Sequence, residues 1–282
     1  MSLNLSTAAV KKFEKEAIQV FQEGGNSLRD TVRVKDAKGA SSVQFNTYGE
    51  VIANERTAFH TPIPAQDPSV AVPTATVSNY TASILTDIFL NNQLGFDGRQ
   101  EAVEGIVKAM NRRLDEIVIA ALDSATGLTV ASGSDNLNVG HFAEAARLLG
   151  SSVPDDNRFL LCHDDGFYHF IQETDVKTID SNSGKPLASG TQRNYMGFDI
   201  LKIGNRDSVT IGDGAGGLGL SGTDRTNYAW QKSAIGLAMN MAPTIKVDWS
   251  PDYGAHRVTG YLSAGAVLIQ DAGVATITTD ES

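Results

Sequence analysis

A chain of 282 residues, 41% hydrophobic and 20% charged, with 27 Gly and 8 Pro, has the makeup of a globular protein and room for one large domain or two modest ones. Its single cysteine, Cys162, excludes an intrachain disulfide and a cysteine-based zinc cluster. With 23 Lys and Arg against 33 Asp and Glu the formal net charge is −10, and so acidic a surface repels polyphosphate, which argues against a general nucleic-acid binder.

Residues 1–40 reverse that balance, with seven basic side chains (Lys11, Lys12, Lys15, Arg29, Arg33, Lys35, Lys38) against five acids. The N-terminus lacks the basic-then-apolar order of a signal peptide. No run approaches the roughly 20 apolar residues of a bilayer span, so a soluble, intracellularly made protein is expected. Residues 6–23 place Val10, Phe13, Ala17, Ile18 and Phe21 on one helical stripe, stopped by Gly24 and Gly25. That stripe needs cover, from its own core or from a neighbouring subunit.

Residues 28–36 alternate as a strand does, and 43–47 alternate again after a turn at Gly39–Ser42. From Tyr48 to Pro73 there are four prolines and no sustained apolar period. Residues 74–90, rich in Thr, Val and Ile, return as one long strand. A connection of this length without its own core is unusual in a compact domain. A two-stranded excursion of that kind is marginal alone in water and needs an outside surface.

Residues 98–124 predict the clearest element, a helix of roughly 40 Å at 1.5 Å per residue. Asp97 with Gln100 forms a capping-box pattern, and Val103, Ile106, Val107, Met110, Leu114, Ile117, Val118, Ala121 and Leu122 keep helical spacing. Asn138 caps a second helix running to Gly150, and Phe159–Cys162 reads as a buried strand. Asp164 and Asp165 cap a short helix, and residues 174–195 form a second long polar loop. Short strands are expected at 197–203, 208–212, 226–231, 234–241, 244–249, 256–262, 265–270 and 274–279. Helices and strands mix without a βαβ rhythm, which favours the α+β class.

A search for catalytic groups comes back empty. Residues Gly214 to Gly219 match G-x-G-x-x-G, but LSGTDRTNYAW after them is no helix start and no acid follows to hold a ribose. A loop explains these glycines better than a nucleotide cradle. Cys162, His163, Asp164, Asp165 and His169 lack the spacing of a tetrahedral metal set. Ser221 lies on no nucleophile elbow, Gly184-Lys185 makes no phosphate loop, and Cys162 in an apolar run is a buried, inert thiol. No catalytic, cofactor or metal residue is assigned, and no cofactor is expected.

The order of these elements resembles the major capsid proteins of tailed phages, with the fold first seen in phage HK97. The resemblance rests on the arm entering SLRDTVRV, the Pro-containing hairpin, the long helix 98–124, AARLLG followed by VP-x-x-x-R at 153–158, the stretch AWQKSAIGLA at 229–238, and the close from HRV through GYLSAGAVLI to VATITT. It implies an HK97-like α+β fold with an N-terminal arm at 1–42, an extended loop at 43–80, a peripheral domain at 81–137 with spine helix 98–124, an axial domain at 138–250, and C-terminal strands 251–282 returning to the peripheral domain.

It implies, further, a non-enzymatic shell protein that self-assembles into hexamers and pentamers of an icosahedral head around double-stranded DNA. Its partners are then copies of itself, a separate scaffolding protein, portal and decoration proteins, and packaged DNA touched only non-specifically, with no membrane. Assembly in the host cytoplasm and residence in the virion follow. Candidate inter-subunit contacts are Arg29, Arg33, Glu55, Arg56, Phe59, Arg112 and Arg113, against plain solvation for each charged one. Some relatives cross-link through Lys and Asn; Asn54 and Lys185 sit in loops, but no pair is assigned. Two alternatives stand beside this reading: a cargo-storing, encapsulin-like shell of the same fold, and a nucleotide-binding enzyme using Gly214–Gly219.

Overall fold

The computed structural model describes residues 28–55, 65–89, 98–130, 135–150, 157–173, 176, 194–204, 218, 220, 221 and 224–280. The expected helix at 6–23, the cap at Asp97, the strand at 208–212, most of the 174–195 loop and the glycines at 214, 216, 217 and 219 lie outside these residues.

In chain order the strands are β1 (Arg33–Asp36), β2 (Ser42–Gln44), β3 (Thr47–Tyr48), β4 (Val70–Ala71), β5 (Thr74–Thr76) and β6 (Ser78–Asp87). Helix α1 (Gly98–Asp123) follows, then β7 (Leu128–Val130), α2 (Val139–Gly150), β8 (Arg158–His163) and α3 (Asp164–Gln172). The chain closes with β9 (Asn194–Tyr195), β10 (Phe198–Ile203), β11 (Leu220–Ser221), β12 (Asp224–Gln231), β13 (Ile235–Ser250), β14 (Ala255–Leu268) and β15 (Val274–Asp280).

These strands form two main sheets. A long four-stranded sheet runs β1-β13-β14-β6, and a seven-stranded sheet runs β7-β15-β12-β8-β10-β9 with β11 on β12. Helix α1 lies across the first sheet on β14, β6 and β13. Its buried side chains include Ala102, Ile106, Met110, Leu114, Val118 and Leu122, an unbroken i, i+4 series along one face. At 26 residues it spans about 39 Å.

Period-two alternation in the second sheet serves two cores. Phe159, Leu161, Tyr228, Trp230 and Val274 join the cluster that contains α1 and the four-stranded sheet. Their neighbours Leu160, Cys162, Ala229 and Ala275 turn to the other face and pack with Phe142 and Leu149 of α2 and Phe170 of α3. Burial on both faces is why residues 159–162 read as an unbroken apolar run. Cys162 is buried there, its Sγ 3.7 Å from the Leu201 carbonyl.

Several boundaries differ from those read from the sequence. Residues 29–31 form a 3-10 turn, because Thr31 bonds back to the Leu28 carbonyl through both its N–H and its hydroxyl. The strands expected at 234–241 and 244–249 are one strand, β13, with register shifts between Met239, Met241 and Thr244, beside Pro243. Likewise 256–262 and 265–270 are one strand, β14. The cap of α3 is His163, whose Nδ1 accepts from the Asp165 N–H, while both aspartates occupy the first turn. The expected cap at Asn138 is present, its Oδ1 accepting from the His141 N–H at 3.1 Å. Strand pairing also cuts across the expected domain segments. Residues 78–80 belong to β6, residues 235–250 lie in the four-stranded sheet, and β7 and β15 lie in the seven-stranded one.

Glycine at 265 and 260 is set by close approach. A Cβ on Gly265 would run into the backbone carbonyl of Thr76 in β5, and one on Gly260 into Ile106 of α1. The Thr76 carbonyl belongs to a paired strand and cannot swing aside as a side chain could. Gly265→Ala is therefore expected to destabilise the fold by about 3 kcal/mol or more, measured by urea unfolding.

Candidate functional site

The four-stranded sheet leads at one end into a two-stranded ribbon. Ser42–Gln44 pair with Thr76–Thr74, and Thr47–Tyr48 pair with Ala71–Val70. The Gly49 N–H continues the ladder to the Ser69 carbonyl at 2.6 Å. Beyond it, the Gln66 side-chain amide acts as a substitute strand partner for Ile52, accepting from its N–H at 2.9 Å and donating to its carbonyl at 2.6 Å.

Among the described residues of this ribbon, those at its foot have a core. Phe45 and Ala75 pack with Ala37, Ala238 and Ile269, and Phe45 lies so close to Gly236 that a Cβ there would meet its ring at 2.7 Å. Past that foot the apolar side chains face water: Tyr48 is 74% exposed, Ile52 67%, Val51 62% and Val70 54%. The other end of the same sheet is also apolar, with Leu85, Ile88, Phe89, Trp249 and Tyr253 exposed where β6, β13 and β14 end together. Surface of this kind in two places is the mark of interaction sites. The sequence predicts an excursion that needs outside cover, but neither the ribbon's exposed apolar row nor the sheet end. Prolines and short polar breaks hide the period in the ribbon, and the sheet end mixes its apolar residues with Asp87, Asp248 and Asp252.

The base of the N-terminal arm is held to the body by buried polar bonds. The Leu28 N–H donates to Asp115 Oδ1 of α1 at 3.2 Å, and the Trp230 indole N–H donates to the Thr31 carbonyl at 3.1 Å. Leu28, Val32 and Trp230 are fully buried beside α1. The Tyr228 hydroxyl donates to Asp123 Oδ1 at 2.9 Å, tying the end of α1 to the seven-stranded sheet. Burial, helped by that carboxylate, holds the Tyr228 phenol well above its ordinary pKa of 10. The folded state therefore keeps a proton that the unfolded chain loses, so this tyrosine's contribution is full below pH 10 and declines as pH rises above it. Tyr228→Phe should cost about 1 kcal/mol at neutral pH. It should also flatten the alkaline limb of a stability-versus-pH curve.

The candidate contact residues separate in space. Arg33 is exposed on β1, Arg29 is half-buried in the preceding turn, and Glu55 and Asn54 are exposed in the ribbon. Arg56, Phe59 and Lys185 lie outside the described residues. Arg113 pairs with Glu116 at 2.7 Å and stands over the Tyr80 ring at 4.6 Å. It rims a hollow of about 460 Å³ between α1, Thr76 and the end of β14. Arg112, also expected as a contact, is 8% exposed, one turn before the fully buried Asp115. The helix is covered on more than one side, with Arg112, Asp115, Ile119 and Ala121 also buried.

The other chemical candidates resolve into structure. The residues directly after the 214–219 glycines form strand β11, where a pyrophosphate cradle requires a helix N-terminus. Leu218 is buried, and its carbonyl accepts from Arg225 at 2.8 Å. His163 is buried against Asn227 and Asp165 as a cap. Among the described residues, no helix is long and apolar enough to cross a membrane.

A comparison with curated proteins finds no match. Among solved structures, the chain is similar to the head structure of Helicobacter pylori bacteriophage KHP40, at 12% identity and a TM-score of 0.76, covering 96% of each chain. It is similar to the capsid of Helicobacter pylori bacteriophage KHP30, at 13% identity and a TM-score of 0.72, covering 99% of this chain and 98% of that one. It is similar, too, to the capsid of Cyanophage P-SCSP1u, at 14% identity and a TM-score of 0.69, covering 100% and 96%. At these identities the likeness establishes the fold, the HK97-like α+β capsid fold expected from the sequence. The family model for phage capsid protein matches residues 5–281. The chain therefore belongs to the phage capsid protein family, as a shell-forming component of the phage head.

Proposed function

We propose that this protein is the repeating subunit of an icosahedral head, built as hexamers and pentamers around double-stranded DNA and assembled in the host cytoplasm. The observation that carries this reading is the ribbon: paired between 42–48 and 70–76, cored among its described residues only at the foot, and lined with exposed Tyr48, Val51, Ile52 and Val70. A ribbon of this kind is stable when it rests on a neighbour. The four-stranded sheet with α1 serves as the peripheral domain, and the seven-stranded sheet with α2 and α3 as the axial domain. The role is structural and needs no catalysis.

Among the expected contacts, Arg29, Arg33, Glu55, Arg56, Phe59, Arg112 and Arg113 remain candidates for touching adjacent copies, Arg112 being the least exposed of those described. A separate scaffolding protein, a portal and decoration proteins complete the head. Acidic residues predominate over the whole chain, which lets packaged DNA slide with non-specific contact only. No specific observation favours a cargo-storing shell or a nucleotide-binding enzyme. The test is the hydrodynamic size of the purified protein, by light scattering across a range of concentrations. Closed particles of uniform size are expected; a monomer at every concentration would overturn the reading.

A further inference from the structure

The ribbon keeps a single register. Ser42 stands opposite Thr76, Gln44 opposite Thr74, Thr47 opposite Ala71 and Tyr48 opposite Val70. Carried outward, the same register sets Gly49 against Ser69, where a backbone bond of 2.6 Å is present, and then Ile52 against Gln66. Between these two pairs stands Pro68, which has no N–H to give to a ladder. Among the described residues the backbone ladder ends at Gly49 and Ser69.

At Ile52 the Gln66 side chain takes over. Its Oε1 accepts from the Ile52 N–H at 2.9 Å and its Nε2 donates to the Ile52 carbonyl at 2.6 Å, so one amide reproduces both bonds that a backbone partner would exchange. The place calls for an acceptor and a donor on one group at this reach. An ionised glutamate has no donor, and asparagine carries the same amide one methylene short. Both bonds are exposed and lie beyond the core at the foot, so they add little to the stability of the subunit. What they fix is the backbone at Ile52, and with it the exposed apolar pair Val51 and Ile52.

We propose that Gln66 is a positioning residue for assembly: its amide clips the two strands together beyond Pro68 and presents Val51 and Ile52 in one preset arrangement. On the shell reading above, on which this role rests, a ribbon ordered in advance has less conformational freedom left to lose when a copy joins. A contact that needs the clipped form weakens by the factor by which that form is depopulated. One factor therefore links the order of the ribbon in the free subunit to the strength of assembly.

The test compares the wild-type protein with Gln66→Ala, first as free subunits below the concentration at which particles form and then in assembly itself. Exchange of the Ile52 amide hydrogen, followed by NMR, should quicken about tenfold in the variant, while thermal unfolding of the subunit stays unchanged. The protein concentration at which particles appear should rise by a similar factor. Gln66→Glu, which keeps the acceptor and loses the donor at neutral pH, should fall between the two proteins in both readouts. Quicker exchange with an unchanged assembly threshold would overturn the positioning role, as would a lowered thermal midpoint, the sign of a plain stability role. A raised threshold with unchanged exchange would overturn the clip, since Gln66 would then act by touching a neighbour directly. No change in either readout would overturn both. If the wild-type protein forms no particles, the shell reading falls and the positioning role with it, and quickened exchange in Gln66→Ala keeps that failure distinct from a missing clip.

Discussion

A variant in which residues 47–71 are replaced by a short turn is expected to fold as a stable monomer and to form no particles. The excision begins at the β3–β4 pair and leaves β2, β5 and the foot of the ribbon in place. It keeps Phe45, Ala75, Ala37, Ala238 and Ile269, the cluster that seats the ribbon on the body. The described residues of the removed part contribute exposed apolar surface and a ladder with no second layer, so its loss should change subunit stability by no more than about 0.5 kcal/mol. Assembly should respond in the opposite way, because that surface has no other cover. Val51→Asp with Ile52→Asp gives a milder version that keeps the ribbon's length and buries two charges at any interface. Normal particles from either variant, seen by sedimentation, would show that the ribbon is dispensable.

The second large effect concerns stability. Trp230→Ala should cost about 3–5 kcal/mol, a large part of the roughly 5–15 kcal/mol that holds a domain folded. Trp230 is fully buried, its ring centroid 5.8 Å from that of Phe159, in the cluster that joins α1 to both sheets. Its indole N–H is the donor to the Thr31 carbonyl, so truncation opens a cavity and also strips a buried acceptor of a partner. Trp230→Phe separates the two effects, keeping most of the volume and losing the bond. It should fall between wild type and alanine in urea unfolding. A cost below about 1 kcal/mol for Trp230→Ala would mean that the arm base and the sheets are not held together at this point.

Long elements with one dominant period were readable from the sequence. The 98–124 helix reveals itself because one i, i+4 series is buried from Ala102 to Leu122. The strand at 158–163 does so because both its faces are covered. Breaks were placed inside β13 at Pro243 and inside β14 just before Gly265, where each strand runs on. In the folded chain Pro243 sits beside a bulge, and Gly265 sits where β5 crosses too closely for a side chain. The ribbon was legible as a coreless excursion, but its exposed apolar row was not, since short strands interrupted at Pro73 and near Pro68 show no run of alternation. The burial of Arg112 was not legible for a related reason: spacing shows that a residue faces a given side of a helix, but not how much of that side the rest of the chain covers.

The central claim is that the ribbon finds its cover on another copy of the same chain. An electron cryomicroscopy reconstruction of the purified particles tests it most directly. The expected map shows a closed shell in which density for residues 47–71 of each subunit lies against an adjacent subunit. A reconstruction of a lone subunit with that ribbon folded onto its own body, or of a shell whose ribbons touch no neighbour, would contradict it.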